Sequence, residues 1–115
     1  MNLRVERRDG EHLPVVAVHG ELDVDGAPEL RHALIEAIDE RPGRQLVVDL
    51  EGVDLIDSAG LGVLLGGLER AKAGHGDLVL VATGRSVIKV LELTGLTRVF
   101  EIHPSRAAAL GAARE

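Results

Sequence analysis

Hydrophobic and polar positions along the chain change period several times. Leu3 to Arg8 alternates apolar with charged residues, which predicts a half-exposed strand. Asp9-Gly10 is a turn signal, and the valine-rich run Leu13 to Val18 predicts a second strand, antiparallel to the first. Pro14 places one end of that strand at an edge or a bulge. Gly20 to Gly26 reads as a loop, and Pro28 suits the first turn of a helix. Leu30, Ala33, Leu34, Ala37 and Ile38 recur at helical spacing and mark that helix's buried face, which Arg41-Pro42-Gly43 terminates.

The middle of the chain carries the strongest pattern. Leu46 to Leu50 is a nearly continuous apolar run, with Asp49 inside it, and predicts a buried strand. Glu51-Gly52 reads as a turn, followed by a short apolar piece, Val53 to Ile56. Leu61, Leu64, Leu65 and Leu68 then fall on one helical face, with Ser58 standing where an N-cap belongs. Ala73-Gly74-His75-Gly76 breaks this helix, and Leu78 to Ala82 is another buried strand. A third helix opens at Thr83-Gly84, turns Val87, Val90, Leu91 and Thr94 inward, and stops at Gly95 as a C′ residue. Arg98 to Ile102 predicts a last short strand, and a final helix runs from Pro104 to the end of the chain.

The predicted order is β-β-α-β-α-β-α-β-α. Hydrophobic strands separated by helices pair in parallel through crossovers, while the opening hairpin is antiparallel. The fold class is therefore α/β: one mixed, mostly parallel sheet with helices packed on it. The pattern does not give the strand order.

The helix after Ser58 contains Gly60, Gly62, Gly66 and Gly67. Each costs about 1 kcal/mol against alanine in a helix interior. Two explanations stand side by side: close packing against a neighbour, or a flat surface where another molecule docks.

A length of 115 residues suits a single domain spanning 1–115. Its core must be aliphatic, because Phe100 is the only aromatic residue. A net charge of -6 and a single aromatic residue argue against binding nucleic acid. Without cysteine, disulfides, zinc–thiolate sites and thiol nucleophiles are excluded. No run of about 18 uncharged apolar residues marks a membrane span or signal core, so a soluble, cytoplasmic chain is expected.

Chemical motifs are sparse. Gly60-x-Gly62-x-x-x-Gly66 imitates a dinucleotide loop, but the next strand ends Val81-Ala82-Thr83, without an acidic residue for a ribose. Glu21-x-Asp23-x-Asp25-Gly26 imitates the start of a calcium loop, yet His32 occupies the position of the bidentate ligand. The simpler reading is an acidic loop in which Asp25 or Gly26 caps the first helix. The histidines at 12, 19, 32, 75 and 103 lack metal-ligand spacing. Ser58 has Ile56 where a nucleophile elbow needs glycine, so hydrolase chemistry is not expected. Asp57 can hydrogen-bond the turn entering the helix. No cofactor is implied.

The segment Val53-Asp-Leu-Ile-Asp-Ser-Ala-Gly-Leu-Gly-Val-Leu64 resembles the signature of STAS domains of the anti-sigma factor antagonist family. Gly20-Glu-Leu-Asp-Val24 resembles an earlier motif of that family, and Leu91-Glu-Leu-Thr-Gly-Leu-Thr-Arg-Val-Phe100 a later one. The resemblance covers nearly the whole chain and implies the STAS fold. It also implies a switch that binds an anti-sigma factor with a serine kinase fold, frees a sigma factor, and is reset by a phosphatase. The implied partner face is Asp23, Asp57, Ser58, Ala59, Gly60, Leu61 and Gly62. Two positions depart from the family. Ala59 replaces the hydroxyl residue that the family phosphorylates, leaving Ser58 as the candidate acceptor. Gly26, rather than Thr or Asn, precedes Ala27-Pro28. The competing expectations are a structural STAS subunit of a signalling or transport assembly, and a small nucleotide- or ligand-binding module.

Overall fold

The computed structural model describes residues 3–9 and 13–113. The elements are β1 (Leu3–Arg7), β2 (Val15–Leu22), α1 (Ala27–Glu40), β3 (Gln45–Ile56), α2 (Ser58–Ala73), β4 (Asp77–Val81), α3 (Arg85–Leu93), a 3-10 turn (Leu96–Arg98), β5 (Ile102–His103) and α4 (Arg106–Ala113). The order matches the one predicted from periodicity. Residues 10–12, which include Gly10 of the predicted turn, and residues 114–115, over which the last helix is predicted to run on, lie outside the described residues.

The five strands lie in their sequence order, β1-β2-β3-β4-β5. β1 runs antiparallel to β2, and the other neighbours are parallel. Each parallel step moves one place in the same direction, so right-handed crossovers put α1, α2 and α3 on one face. Their leucines meet Val16, Val18, Leu46, Val48 and Leu80 there in the larger core cluster. α4 covers the opposite face, where Ala109 and Leu110 pack on Leu13, Val15, Val47, Val79 and Val81.

Several boundaries differ from the predicted ones. Glu51-Gly52 is not a turn: β3 runs unbroken through it. The pairing shifts between Ala17 opposite Asp49 and His19 opposite Gly52, which inserts an extra residue into β3. Asp49 Oδ1 accepts from the Glu51 N–H at 2.9 Å. A Cβ at position 52 would stand 2.3 Å from His19 Nδ1 and 3.1 Å from the Val18 carbonyl oxygen, so a side chain there would have to displace the His19 ring. β2 likewise continues through Gly20-Glu21-Leu22, which the sequence suggested was loop. Pro14 precedes β2, and its carbonyl accepts from Val47 N–H at 3.1 Å.

In α3, Val87 and Leu91 are buried but Thr94 is exposed. Its hydroxyl donates back to the Val90 carbonyl at 2.7 Å. Gly95 is left-handed, φ 75°, as expected of a C′ residue. Of the predicted strand Arg98 to Ile102 only Ile102 lies in β5, because Leu96 and Phe100 form a turn, the Phe100 N–H donating to the Leu96 carbonyl at 2.9 Å. Both side chains are buried.

Asp49 is the one buried charged residue among those described, at 6% exposure. Its other carboxylate oxygen accepts from Arg106 Nε on α4, so this ion pair ties α4 to the sheet.

Candidate functional site

β2 and β3 both extend beyond β4, and Leu22 pairs with Ile56 at their ends. The loops leaving these strands are therefore neighbours at the carboxyl edge of the parallel strands, where ligands commonly meet α/β folds. The Asp57 N–H donates to the Leu22 carbonyl at 3.2 Å and joins the two loops. This contact brings Asp23 beside the turn into α2.

That turn is organised by Asp57. It is the N-cap, with extended backbone, φ -116° and ψ -174°. Its Oδ1 accepts from the Ala59 N–H at 2.9 Å and the Gly60 N–H at 3.1 Å. Such a cap is worth about 1 kcal/mol. The expectation that Ser58 is the cap is thus corrected. Ser58 is the first helical residue and is exposed, and its hydroxyl makes no hydrogen bond among the described residues. A shorter reach explains the choice: Asp57 already has the extended backbone from which a side chain can bend back to the second and third helical N–H groups.

Asp23 organises the other loop. Its Oδ1 accepts from the N–H groups of Asp25 (3.1 Å) and Gly26 (3.2 Å), and its carbonyl accepts from the Ala27 N–H at 2.9 Å. Gly26 is the N-cap of α1, without a side-chain bond. The space beside it belongs to Leu3: a Cβ on Gly26 would sit 2.7 Å from Leu3 Cδ2. A capping Thr or Asn would not fit, and Asp23 supplies the hydrogen bonds instead.

The glycines of α2 divide by face. A Cβ on Gly60 would lie 2.6 Å from Leu22 Cγ and 2.7 Å from the Leu22 carbonyl oxygen. One on Gly67 would lie 2.9 Å from Leu34 Cδ1. These two residues allow close packing. Around Gly62 and Gly66, in contrast, nothing comes within 4 Å of the Cβ position. Of the predicted face, Asp23, Asp57 and Ala59 are half-buried, Ser58 and Gly62 are exposed, and Gly60 and Leu61 are buried beneath them.

Three further residues lie at this edge; Val24 belongs to the Asp23 loop, while Leu55 and Arg31 were not singled out from the sequence. Val24 and Leu55, 67% and 48% exposed, put apolar surface at this edge. A lone valine between Asp23 and Asp25 was the available signal. Arg31, on the outer side of α1, lines a groove with Ala59 and Gly62, which a reading of α1 for its buried stripe alone passes over.

The STAS domain family model matches residues 2–109. The chain belongs to the STAS domain family. An anti-sigma-B factor antagonist of Bacillus subtilis is 33% identical over 102 residues, 89% of this chain and 92% of that protein. The anti-sigma-B factor antagonist of Listeria monocytogenes is 32% identical over 102 residues, 89% of this chain and 88% of that protein. The crystal structure of an anti-sigma factor antagonist from Mycobacterium paratuberculosis superposes with a TM-score of 0.89 at 32% identity, over 98% of this chain and 95% of that one. The superposed Mycobacterium structure shares the fold described above. Among the described residues of this STAS domain, no helix is long and apolar enough to cross a membrane.

Proposed function

We propose that this STAS domain is an anti-sigma factor antagonist that acts in the cytoplasm by binding rather than by catalysis. It binds an anti-sigma factor of serine kinase fold, which frees a sigma factor, and phosphorylation of Ser58 ends the complex until a phosphatase restores it. The partner face is Asp23, Ser58, Ala59 and Gly62, seated on Asp57, Gly60 and Leu61. Relatives named anti-sigma-B factor antagonists, similar over almost their whole length, support the partner class.

One observation carries the Ser58 assignment: the turn into α2 presents a serine hydroxyl that the fold does not use. Ala59, at the family's usual acceptor position, has none. A phosphate on Ser58 adds about 1.5 to 2 negative charges at a helix N-terminus, which tolerates them. A partner packed on that spot is displaced.

The test begins with calorimetry of the chain against its anti-sigma factor. No binding by the wild type overturns the function. Binding, followed by transfer of phosphate from ATP to Ser58 and its loss in Ser58→Ala, supports the switch. Incorporation that appears only after Ala59→Ser means an antagonist that is never switched off. Asp23→Asn preserves the loop-forming Oδ1 and removes the charge. It is expected to weaken binding about tenfold while the melting temperature stays put.

A further inference from the structure

The buried carboxylate of Asp49 plays no part in the partner face. Burying a charge is costly, and an apolar pair of similar volume often does as well for stability. Each of its oxygens has a separate task. Oδ1 accepts from the Glu51 N–H at 2.9 Å, inside β3. Oδ2 accepts from Arg106 Nε, on α4. The first bond closes the bulge at which the pairing of β2 with β3 slips, from Ala17 opposite Asp49 to His19 opposite Gly52.

That slip sets the partner face. A second shift follows between Gly20 and Glu21, and the two together bring Ile56 opposite Leu22. This register lets the Asp57 N–H reach the Leu22 carbonyl, which seats the Asp23 loop beside the turn that carries Ser58. Without the extra residue at the bulge, every later side chain of β3 would change faces. The other end of the Asp49 carboxylate is held lightly. α4 has eight residues, too few to persist as a helix alone in water. It stays in place through Ala109 and Leu110 on the valines of the sheet and through Arg106. The Arg106 side chain is 39% exposed, so water enters when α4 lifts. A carboxylate that loses its cation in this way turns toward the water and gives up the Glu51 N–H.

We propose that docking of α4 and affinity for the anti-sigma factor are coupled through Asp49. With α4 in place the bulge is closed and the partner face is assembled. With α4 detached the bulge opens, the end of β3 loosens and binding weakens. Such coupling is reciprocal, so a bound partner also holds α4 down. The inference rests on the proposed function, because it names a second control on that same face.

Hydrogen exchange and titration calorimetry on the full chain test it. In Arg106→Ala the α4 amides are expected to exchange faster first, and the Glu51 amide to follow by about tenfold while β4 stays protected. Affinity for the anti-sigma factor is expected to fall about tenfold, although Arg106 lies on the face of the sheet opposite α2. Asp49→Val with Arg106→Leu separates coupling from stability. There α4 stays docked and stability is recovered, yet the bond to Glu51 is gone, so affinity stays low. In the wild type, saturating anti-sigma factor is expected to slow exchange over residues 106–113 about tenfold, and the double variant loses that slowing. Wild-type affinity in both variants, or affinity that returns with stability in the double variant, overturns the coupling and leaves the proposed function standing. A Glu51 amide that Arg106→Ala leaves unchanged in the chain alone overturns it without any partner. No binding by the wild type overturns the proposed function and this inference with it.

Discussion

Alanine substitutions of the four α2 glycines measure whether the helix is seated as described. At Gly66, the added methyl group meets nothing within 4 Å, so only helix propensity changes. Gly66→Ala is expected to stabilise by about 0.8–1 kcal/mol, as is Gly62→Ala. For a chain of this size, 1 kcal/mol shifts the melting temperature by about 4 °C. Gly60→Ala meets opposite conditions. Its methyl group would stand 2.7 Å from the Leu22 carbonyl oxygen and 2.6 Å from Leu22 Cγ. Overpacking of that kind costs about 1–3 kcal/mol. Moving the Leu22 carbonyl away also strains the bond it accepts from Asp57, worth about 1 kcal/mol. Gly60 lies in the first turn, where propensity returns little, so the net loss is about 2 kcal/mol or more. Gly67→Ala is intermediate: its methyl group meets Leu34 Cδ1 at 2.9 Å and Leu78 Cδ1 at 3.0 Å, ends of side chains that can turn aside. Urea denaturation followed by circular dichroism reads all four. If Gly60→Ala is as stable as Gly66→Ala, the helix does not rest on Leu22 and the geometry of the site is wrong.

Two further stability predictions concern side-chain hydrogen bonds, one of which, from Asp57 to the turn entering α2, was expected from the sequence. Asp57→Ala removes the α2 cap and is expected to cost about 1–2 kcal/mol, whereas Ser58→Ala is expected to stay within about 0.5 kcal/mol of wild type in the same denaturation assay. Arg106→Ala leaves the buried Asp49 carboxylate without its cation; because Arg106 is partly exposed and water can enter, the expected loss is about 1–3 kcal/mol. Hydrogen exchange over residues 106–113 should rise before that of the sheet, and Asp49→Val with Arg106→Leu should recover most of the loss.

Element types were legible because each buried face repeats at its own period. The four leucines at 61, 64, 65 and 68 mark α2, and the run from Leu78 to Ala82 marks β4. Boundaries were harder where a residue has two possible jobs. Glu51-Gly52 looks like a turn, but its glycine makes room for His19 and its neighbour Asp49 folds a bulge. Val99 and Phe100 look like strand, yet only Phe100 is buried, at the end of a 3-10 turn. The Asp-Ser pair at 57–58 offers two residues of cap-forming type, and sequence alone favoured the wrong one. The division of the glycines was beyond the sequence altogether, since it depends on what packs across from each. Gly60 faces Leu22, and Gly67 faces Leu34, through pairings that only the folded chain brings about.

The assignment of the cap to Asp57 bears directly on how a switch at Ser58 can work. Had Ser58 been the cap, its modification would have removed the bonds to the first helical N–H groups, and binding and stability would have changed together. With Asp57 holding the Ala59 and Gly60 N–H groups, the hydroxyl of Ser58 can carry a phosphate while the helix keeps its start. What changes is the charge that a partner meets. The new phosphate lies beside Asp57 and near Asp23, so the edge becomes more acidic by about 1.5 to 2 charges without a change of fold. The proposal therefore requires that phosphorylated and unmodified chains melt within about 1 kcal/mol of each other while their affinities for the anti-sigma factor differ by orders of magnitude. A phosphorylated chain that loses α2, read by hydrogen exchange over residues 58–73, would instead make the switch a local unfolding event.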